Sequence, residues 1–354
     1  MTGLMVFPLV MDFCIVQKCE VRMSTTPIPL RLYVGTDRTL VFIWHSFISF
    51  LSISLHVVFI IGIRRLCGWS SNFSFTLLLI NSVFCIVRFV IQFVAALTTL
   101  LGLDCTQCPH LCIAFGSLAF APYYTIVILN ILLTFHRLFY TAFPFKINQY
   151  LKKSMLQVII ATIFIFFLCF LTVLNTVLLG VTWNDLYIGW ELVLTRNPEL
   201  FLFLNSLSNY GIGCINLVVY SFLFALLFQR KLMSFKRNCE LKMTLQVLCT
   251  VVCEILLFVY WQFCNVDRSK PWDRIIGETT NLLFFDITIL PYLILNGNIH
   301  AQLKAIVKPN SVNPHLSCLR VVVQSKDTQL RQHQSKNVQS HNRTAVYNSS
   351  MAKI

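Results

Sequence analysis

Leu156–Leu179 reads LQVIIATIFIFFLCFLTVLNTVLL and contains no Asp, Glu, Lys, Arg or His. At 1.5 Å rise per residue, about 20 apolar residues cover the roughly 30 Å hydrocarbon core of a bilayer. This stretch is long enough to do so and too apolar for the surface of a water-soluble domain. Outward from it, six more stretches of the same kind are found: Val41–Ile63, Phe73–Thr98, Cys112–Phe135, Phe201–Phe228, Met243–Cys264 and Glu278–His300. Seven spans predict an all-α membrane protein built as a seven-transmembrane helix bundle.

Composition agrees. Of 354 residues, 56% are hydrophobic and only 12% charged, against about 25% charged in soluble proteins. That leaves too few charges to coat a globule, so the lipid bilayer is the expected solvent. The net charge of +14 is accounted for by the loops, and no nucleic-acid partner is expected. The spans divide the chain into an extracellular N-terminal tail (1–40), the bundle (41–301) and a cytoplasmic tail (302–354). In that last tail Gln302–Lys308 predicts a short amphipathic helix lying on the membrane, stopped before Pro309, and the polar remainder is expected to be disordered. The apolar N-terminus, MTGLMVFPLVMDFCIVQ, lacks a basic segment and a small-residue cleavage site, and reads poorly as a signal peptide. No internal repeat is detectable, which weighs against an inverted-repeat transporter.

Short cytoplasmic loops are enriched in Lys and Arg. The first, third and fifth loops carry Arg64, Arg65, Arg137, Lys146, Lys152, Lys153, Arg230, Lys231, Lys236, Arg237 and Lys242. The other loops carry only Arg196, Arg268, Lys270 and Arg274. The N-terminus is therefore expected outside and the C-terminus inside, although Lys18, Arg22, Arg31 and Arg38 pull mildly the other way. The sequons at Asn72, Asn342 and Asn348 would then all be cytoplasmic and unused.

At the inner end of span three, His136-Arg137 is followed by Phe143-Pro144-Phe145-Lys146. An Arg there can snorkel to the interface, bond a neighbouring helix at rest and be released when the inner ends separate. Seven-helix receptors engage G proteins with this arrangement; an ordinary positive-inside anchor would look the same. Lys231, Lys236 and Arg237 would add to the docking surface. In span seven, Pro291-Tyr292 lies two to three turns before the cytoplasmic end. Proline removes a backbone donor, so this is either a switch point or a simple packing kink.

Charge at bilayer depth is costly and marks function by default. Arg88, Glu254 and Asp286 lie about 15, 15 and 12 Å below the outer ends of their spans. An Arg88–Asp286 pair, joined by Glu254, is expected to floor a ligand pocket or hold a resting state; a structural ion pair is the alternative. Tyr123, Tyr124, Asn209, Tyr210 and Trp261 have suitable depth to line that pocket. His45 and His56 read as packing residues. Cys105, Cys108 and Cys112 cluster at the outer mouth of span three, where a disulfide is expected. A partner could be another of the three, Cys14, Cys19 or Cys264; a zinc site is the other use of that spacing.

The Phe-rich spans, the His136-Arg137 pair with its Pro-Phe-Lys continuation, and Pro291-Tyr292 followed by Asn296 resemble the nematode serpentine chemoreceptors, nearest the classes lettered X and T. The resemblance covers about residues 41–308. It implies a bundle of G-protein-coupled receptor type in the plasma membrane, in sensory cilia of chemosensory neurons, with Arg137 as the G-protein switch. It further implies a small-molecule ligand in the outer half and a heterotrimeric G protein as partner. The rhodopsin-like pattern is not matched. Span one has no Asn, span two carries Arg88 rather than Asp, no acid precedes Arg137, and Leu290 stands where Asn would precede Pro291. A seven-helix ligand-gated channel or transporter of inverted topology is the alternative function. No cofactor or metal is expected, and no nucleophile or metal motif suggests an enzyme.

Overall fold

The computed structural model describes residues 33, 35–67, 73–101, 108–143, 153–176, 178–184, 188–193, 197–229, 238–263 and 270–307. Its elements are α1 (Thr36–Ile63), α2 (Phe73–Leu100), α3 (Pro109–Ala142), α4 (Lys153–Asn175), β1 (Val181–Asn184), β2 (Gly189–Leu192), α5 (Pro198–Gln229), α6 (Asn238–Phe263), α7 (Pro271–Ile287), α8 (Leu290–Leu295) and α9 (Gly297–Val307).

Among the described residues, α1 to α5 are long and apolar enough to cross a membrane. This is the architecture of a multi-pass membrane protein. The sixth expected span falls on α6, whose apolar part is Leu248–Trp261. The seventh falls on α7 and α8. The chain breaks between them at Thr288-Ile289, just before Pro291 in the first turn of α8. Proline's missing N–H and its ring deny the helix a continuous ladder there. The helix also begins earlier than hydropathy suggests, at Pro271 instead of Glu278, because a proline in the first turn leaves no useful donor unsatisfied.

α3 is the axis of the bundle: it packs on α2, α4, α5 and β1. α1 packs on α2, α7 and α9, while α6 closes the ring against α5, α7 and α8. α4 is the least buried of the five long helices. It turns Val158, Phe164, Ile165 and Leu168 outward, a face that water would not tolerate and lipid does.

α9 is longer than the amphipathic helix expected at Gln302–Lys308. Asn296 opens it, its Oδ1 accepting from the backbone N–H groups of Asn298 (3.0 Å) and Ile299 (3.3 Å). These are two of the donors a helix start leaves orphaned. Ile299 then presses on Gly62 of α1, where a Cβ would come within 2.7 Å of its side chain.

The structure is mostly helical, as expected of an all-α membrane protein, with one small element besides the helices. Between α4 and α5 the chain makes an antiparallel hairpin with Val181 opposite Leu192 and Trp183 opposite Trp190. It sits so close to α3 that a Cβ on Gly116 would lie 1.9 Å from the Val181 carbonyl oxygen. Only glycine permits that approach.

Candidate functional site

The polar side chains inside the bundle fall into three levels. At one end of the bundle the hairpin packs over α2 and α3 like a stopper. Trp183 Nε1 donates to Thr99 Oγ1 (2.6 Å) and Trp190 Nε1 to Gln92 Oε1 (2.7 Å), both on α2. Arg274 of α7 holds Glu191 of β2 at 3.1 Å, and Asn184 bonds the other oxygen of that carboxylate. Tyr33 donates to the Pro271 carbonyl at 2.7 Å. Burial pushes its phenol up to about 12 against the opposing charge of Arg274, so it remains a donor at physiological pH.

Arg88 lies under this stopper, 1% exposed. Its Nη1 donates to Gln92 Oε1 at 3.1 Å. Trp190, Phe120 and Phe285 wall the guanidinium, with ring centroids 5.4, 5.6 and 5.8 Å from its central carbon. Beside this cage, Tyr123 donates to Asn209 Oδ1 at 2.8 Å and contacts Phe284 and Phe285. Trp261 meets the same Phe284 at 5.4 Å and bonds Thr280. Tyr123, Asn209 and Trp261 thus share one aromatic wall. Tyr124 meets the Tyr123 ring edge-on at 5.1 Å and also packs on Phe170 of α4, while Tyr210 packs on Phe258 of α6.

The middle level corrects the expected Arg88–Glu254–Asp286 cluster: the three groups do not meet. Asp286 accepts from Ser52 Oγ at 2.6 Å and stands 3.4 Å from His56 Nε2, both on α1. His56 is therefore no mere packing residue. With His45, Ser49 and Ser52 it forms a buried polar stripe along α1, each residue no more than 2% exposed. The spacing of four, three and four residues keeps the stripe on one helix face. Asn81 and Ser82 of α2 are buried as well, and their side chains have no hydrogen-bond partner among the described residues.

The level at the opposite end from the hairpin brings together Arg137, Glu254 and Tyr292. Arg137 Nη1 donates to Tyr220 Oη on α5 at 3.0 Å, and its guanidinium lies 5.2 Å from the Tyr292 ring centroid on α8. Thr134 Oγ1 donates to Asn216 Oδ1 at 3.0 Å, and Asn216 Nδ2 to Glu254 Oε2 at 2.6 Å. Since a hydroxyl has one proton, Tyr220 is left to donate across its 3.2 Å contact with Thr134. Every donor then points one way, from the Arg137 cation through Tyr220, Thr134 and Asn216 to the Glu254 carboxylate. The chain ties α3, α5 and α6 together, while Tyr292 adds α8 and meets Phe59 of α1 edge-on at 6.3 Å. His136 faces elsewhere, between Phe73 (5.5 Å) and Tyr140 (6.2 Å).

Of the cysteines at the outer mouth, Cys112 is disulfide-bonded and Cys108 is a free, exposed thiol. Cys105 lies outside the described residues, as do Lys231, Lys236 and Arg237. Sequence reading did not find Gln92, Trp183, Trp190, Asn216 or Tyr220. The two tryptophans in a loop were the available signal for the hairpin, whereas a lone amide or phenol inside a span announces no partner.

A scan against protein-family models finds no match to the chain, and a search of curated proteins finds none either.

Proposed function

We propose that the chain is a seven-helix G-protein-coupled receptor, chemosensory in role, with its N-terminus outside and its C-terminus inside the cell. A small ligand in the outer half of the bundle would change the packing of α5 to α8 and so activate a heterotrimeric G protein at the inner face. In this reading α6, and α7 with α8, supply the sixth and seventh crossings. The observation that carries it is the hold on Arg137. A permanent cation at the inner end of the central helix is bonded to Tyr220 and covered by Tyr292, groups that belong to helices able to move apart. Separation of those ends would expose the guanidinium to a partner, with Lys231, Lys236 and Arg237, which follow α5 in sequence, adding to the docking surface. The break before Pro291 lies between the Tyr123–Phe284–Trp261 wall and Tyr292, and would serve as the hinge.

Epitope tags at both ends, stained on intact and permeabilised cells, test the topology. A G-protein dissociation assay then compares wild type with Arg137→Ala at equal surface density. The expected results are an N-terminal tag visible on intact cells, a hidden C-terminal tag, and basal signalling lost in the variant. A C-terminal tag visible on intact cells would sink the receptor reading and favour an inverted channel or transporter.

A further inference from the structure

Arg88 carries a charge it cannot lose, since guanidinium stays protonated in proteins. It is 1% exposed and, among the described residues, bonds only Gln92. No carboxylate forms an ion pair with it there. Glu278 of α7 is near enough for its charge to act on Arg88. However, that carboxylate stands beside Arg274: a Cβ at Gly189 would lie 3.3 Å from Glu278 Oε1 and 3.5 Å from Arg274 Nε. Arg274, which also pairs with Glu191, lies near that carboxylate too, and among the described residues no carboxylate comes within ion-pair distance of Arg88.

Gln92 is the independent observation. It is fully buried, and its Oε1 is spent on both Arg88 and Trp190. Its Nε2 has no partner among the described residues. The amide is turned with its acceptor to the two donors, leaving one more donor beside a cation that bonds no other acceptor among the described residues. Glu278 Oε2 is buried but accepts a hydrogen bond from neither group, so donors outnumber acceptors around Arg88 and Gln92. Buried donors left in that state are costly, and a buried unpaired cation more so.

We infer that the Arg88–Gln92 pair is the recognition point for a monoanionic ligand, a carboxylate carried on an apolar body. One negative charge balances one guanidinium, and two oxygens match its fork while the Gln92 amide supplies a further donor. A dianionic phosphate would leave one charge uncompensated at this depth. Phe120, Trp190 and Phe285 oblige the rest of the molecule to be apolar. This inference rests on the receptor reading, because it names the ligand that reading requires. The acid can come from water past the hairpin or from the bilayer.

The test is thermal melting of the full-length protein purified in detergent, with 3-phenylpropionate and oleate each set against its own primary amide. At least one acid should raise the melting temperature, with an apparent affinity about tenfold or more above that of its amide. A response to 3-phenylpropionate indicates the aqueous route, and a response to oleate alone the bilayer route. Arg88→Met should abolish the difference. Gln92→Glu should abolish it too, by supplying the carboxylate within the chain, and should itself raise the ligand-free melting temperature. Acid and amide acting alike in both arms would overturn the inference, as would an acid response that survives in Gln92→Glu. If Arg88→Met does not fold, the Gln92→Glu comparison decides. Melting needs no G protein, so acid binding with a silent signalling assay would refute the receptor reading and leave the site standing.

Discussion

Tyr220→Phe is the sharpest probe of the inner network, because it removes one oxygen and keeps the ring. That oxygen accepts from Arg137 at 3.0 Å and lies 3.2 Å from Thr134. A hydrogen bond to a charged group contributes about 1.5–3 kcal/mol in general, whereas polar bonds between membrane helices average about 0.6 and reach about 1.7 kcal/mol. Arg137 keeps the face of Tyr292 at 5.2 Å, so its release is incomplete. A loss of about 1–2 kcal/mol from the resting state is therefore the working figure, which lowers the resting-to-active ratio about 5- to 30-fold. If about 1% of wild-type molecules are active without ligand, the variant should have roughly 5–25% active. The assay is G-protein dissociation in living cells, normalised to surface density, with Arg137→Ala added as a second substitution. Basal signal should rise in Tyr220→Phe and vanish in the double variant. A basal signal within about two-fold of wild type at matched density would mean that the bond does not distinguish the two states, and the latch argument would fail.

Three further outcomes follow from the packing. Asp286→Ala leaves Ser52 without its acceptor in the core and should cost about 1–3 kcal/mol, the usual result of stranding a buried polar group; Asp286→Asn keeps an acceptor for Ser52 and should cost less. Equal melting temperatures for wild type and Asp286→Ala would exclude a role for the pair in stability. Gly116→Ala has to displace the hairpin, whose Val181 oxygen would stand 1.9 Å from the added carbon, and should lose about 1–3 kcal/mol, whereas Gly211→Ala, with nothing within 4 Å of the added carbon, should gain about 0.5–1 kcal/mol. The reverse order in melting would refute the hairpin's placement. Glu191→Gln breaks a clasp whose carboxylate is 32% exposed, so its effect should stay below about 1 kcal/mol and shrink as salt is added.

The helices α1 to α5 were legible because hydropathy needs no knowledge of partners: a charge-free run such as Leu156–Leu179 can only face lipid or protein. Pro291 and Pro271 likewise announce a break and a start through their backbone chemistry alone. Pairings were not legible. Arg88, Glu254 and Asp286 share a depth on spans expected to be neighbours, and neither depth nor adjacency says which way a side chain faces. Which way each helix faces is set by packing, and packing turned Asp286 to α1 and Glu254 to α5. One signal in the sequence was missed: His45, Ser49, Ser52 and His56 recur at helical spacing in a mostly apolar span, and such a stripe requires a polar neighbour. The hairpin was missed because strands of four residues carry too short an alternation to stand out beside spans of more than twenty. Trp183 and Trp190 could have pointed to it, since loop tryptophans usually find something to cover.

The link between Ser52 and Asp286 joins residues 234 positions apart, and that distance is also an interval of time. At about 5–20 residues per second, translation needs on the order of 10–50 s to deliver Asp286 after Ser52 has been made. Throughout that interval the first helix holds its histidines and serines against lipid, with only α2 available to shelter them. α7 is what completes α1. Any chain cut short before α7 therefore leaves a polar seam open to the bilayer, which gives the cell's membrane quality control a physical mark by which to tell an unfinished copy from a finished one.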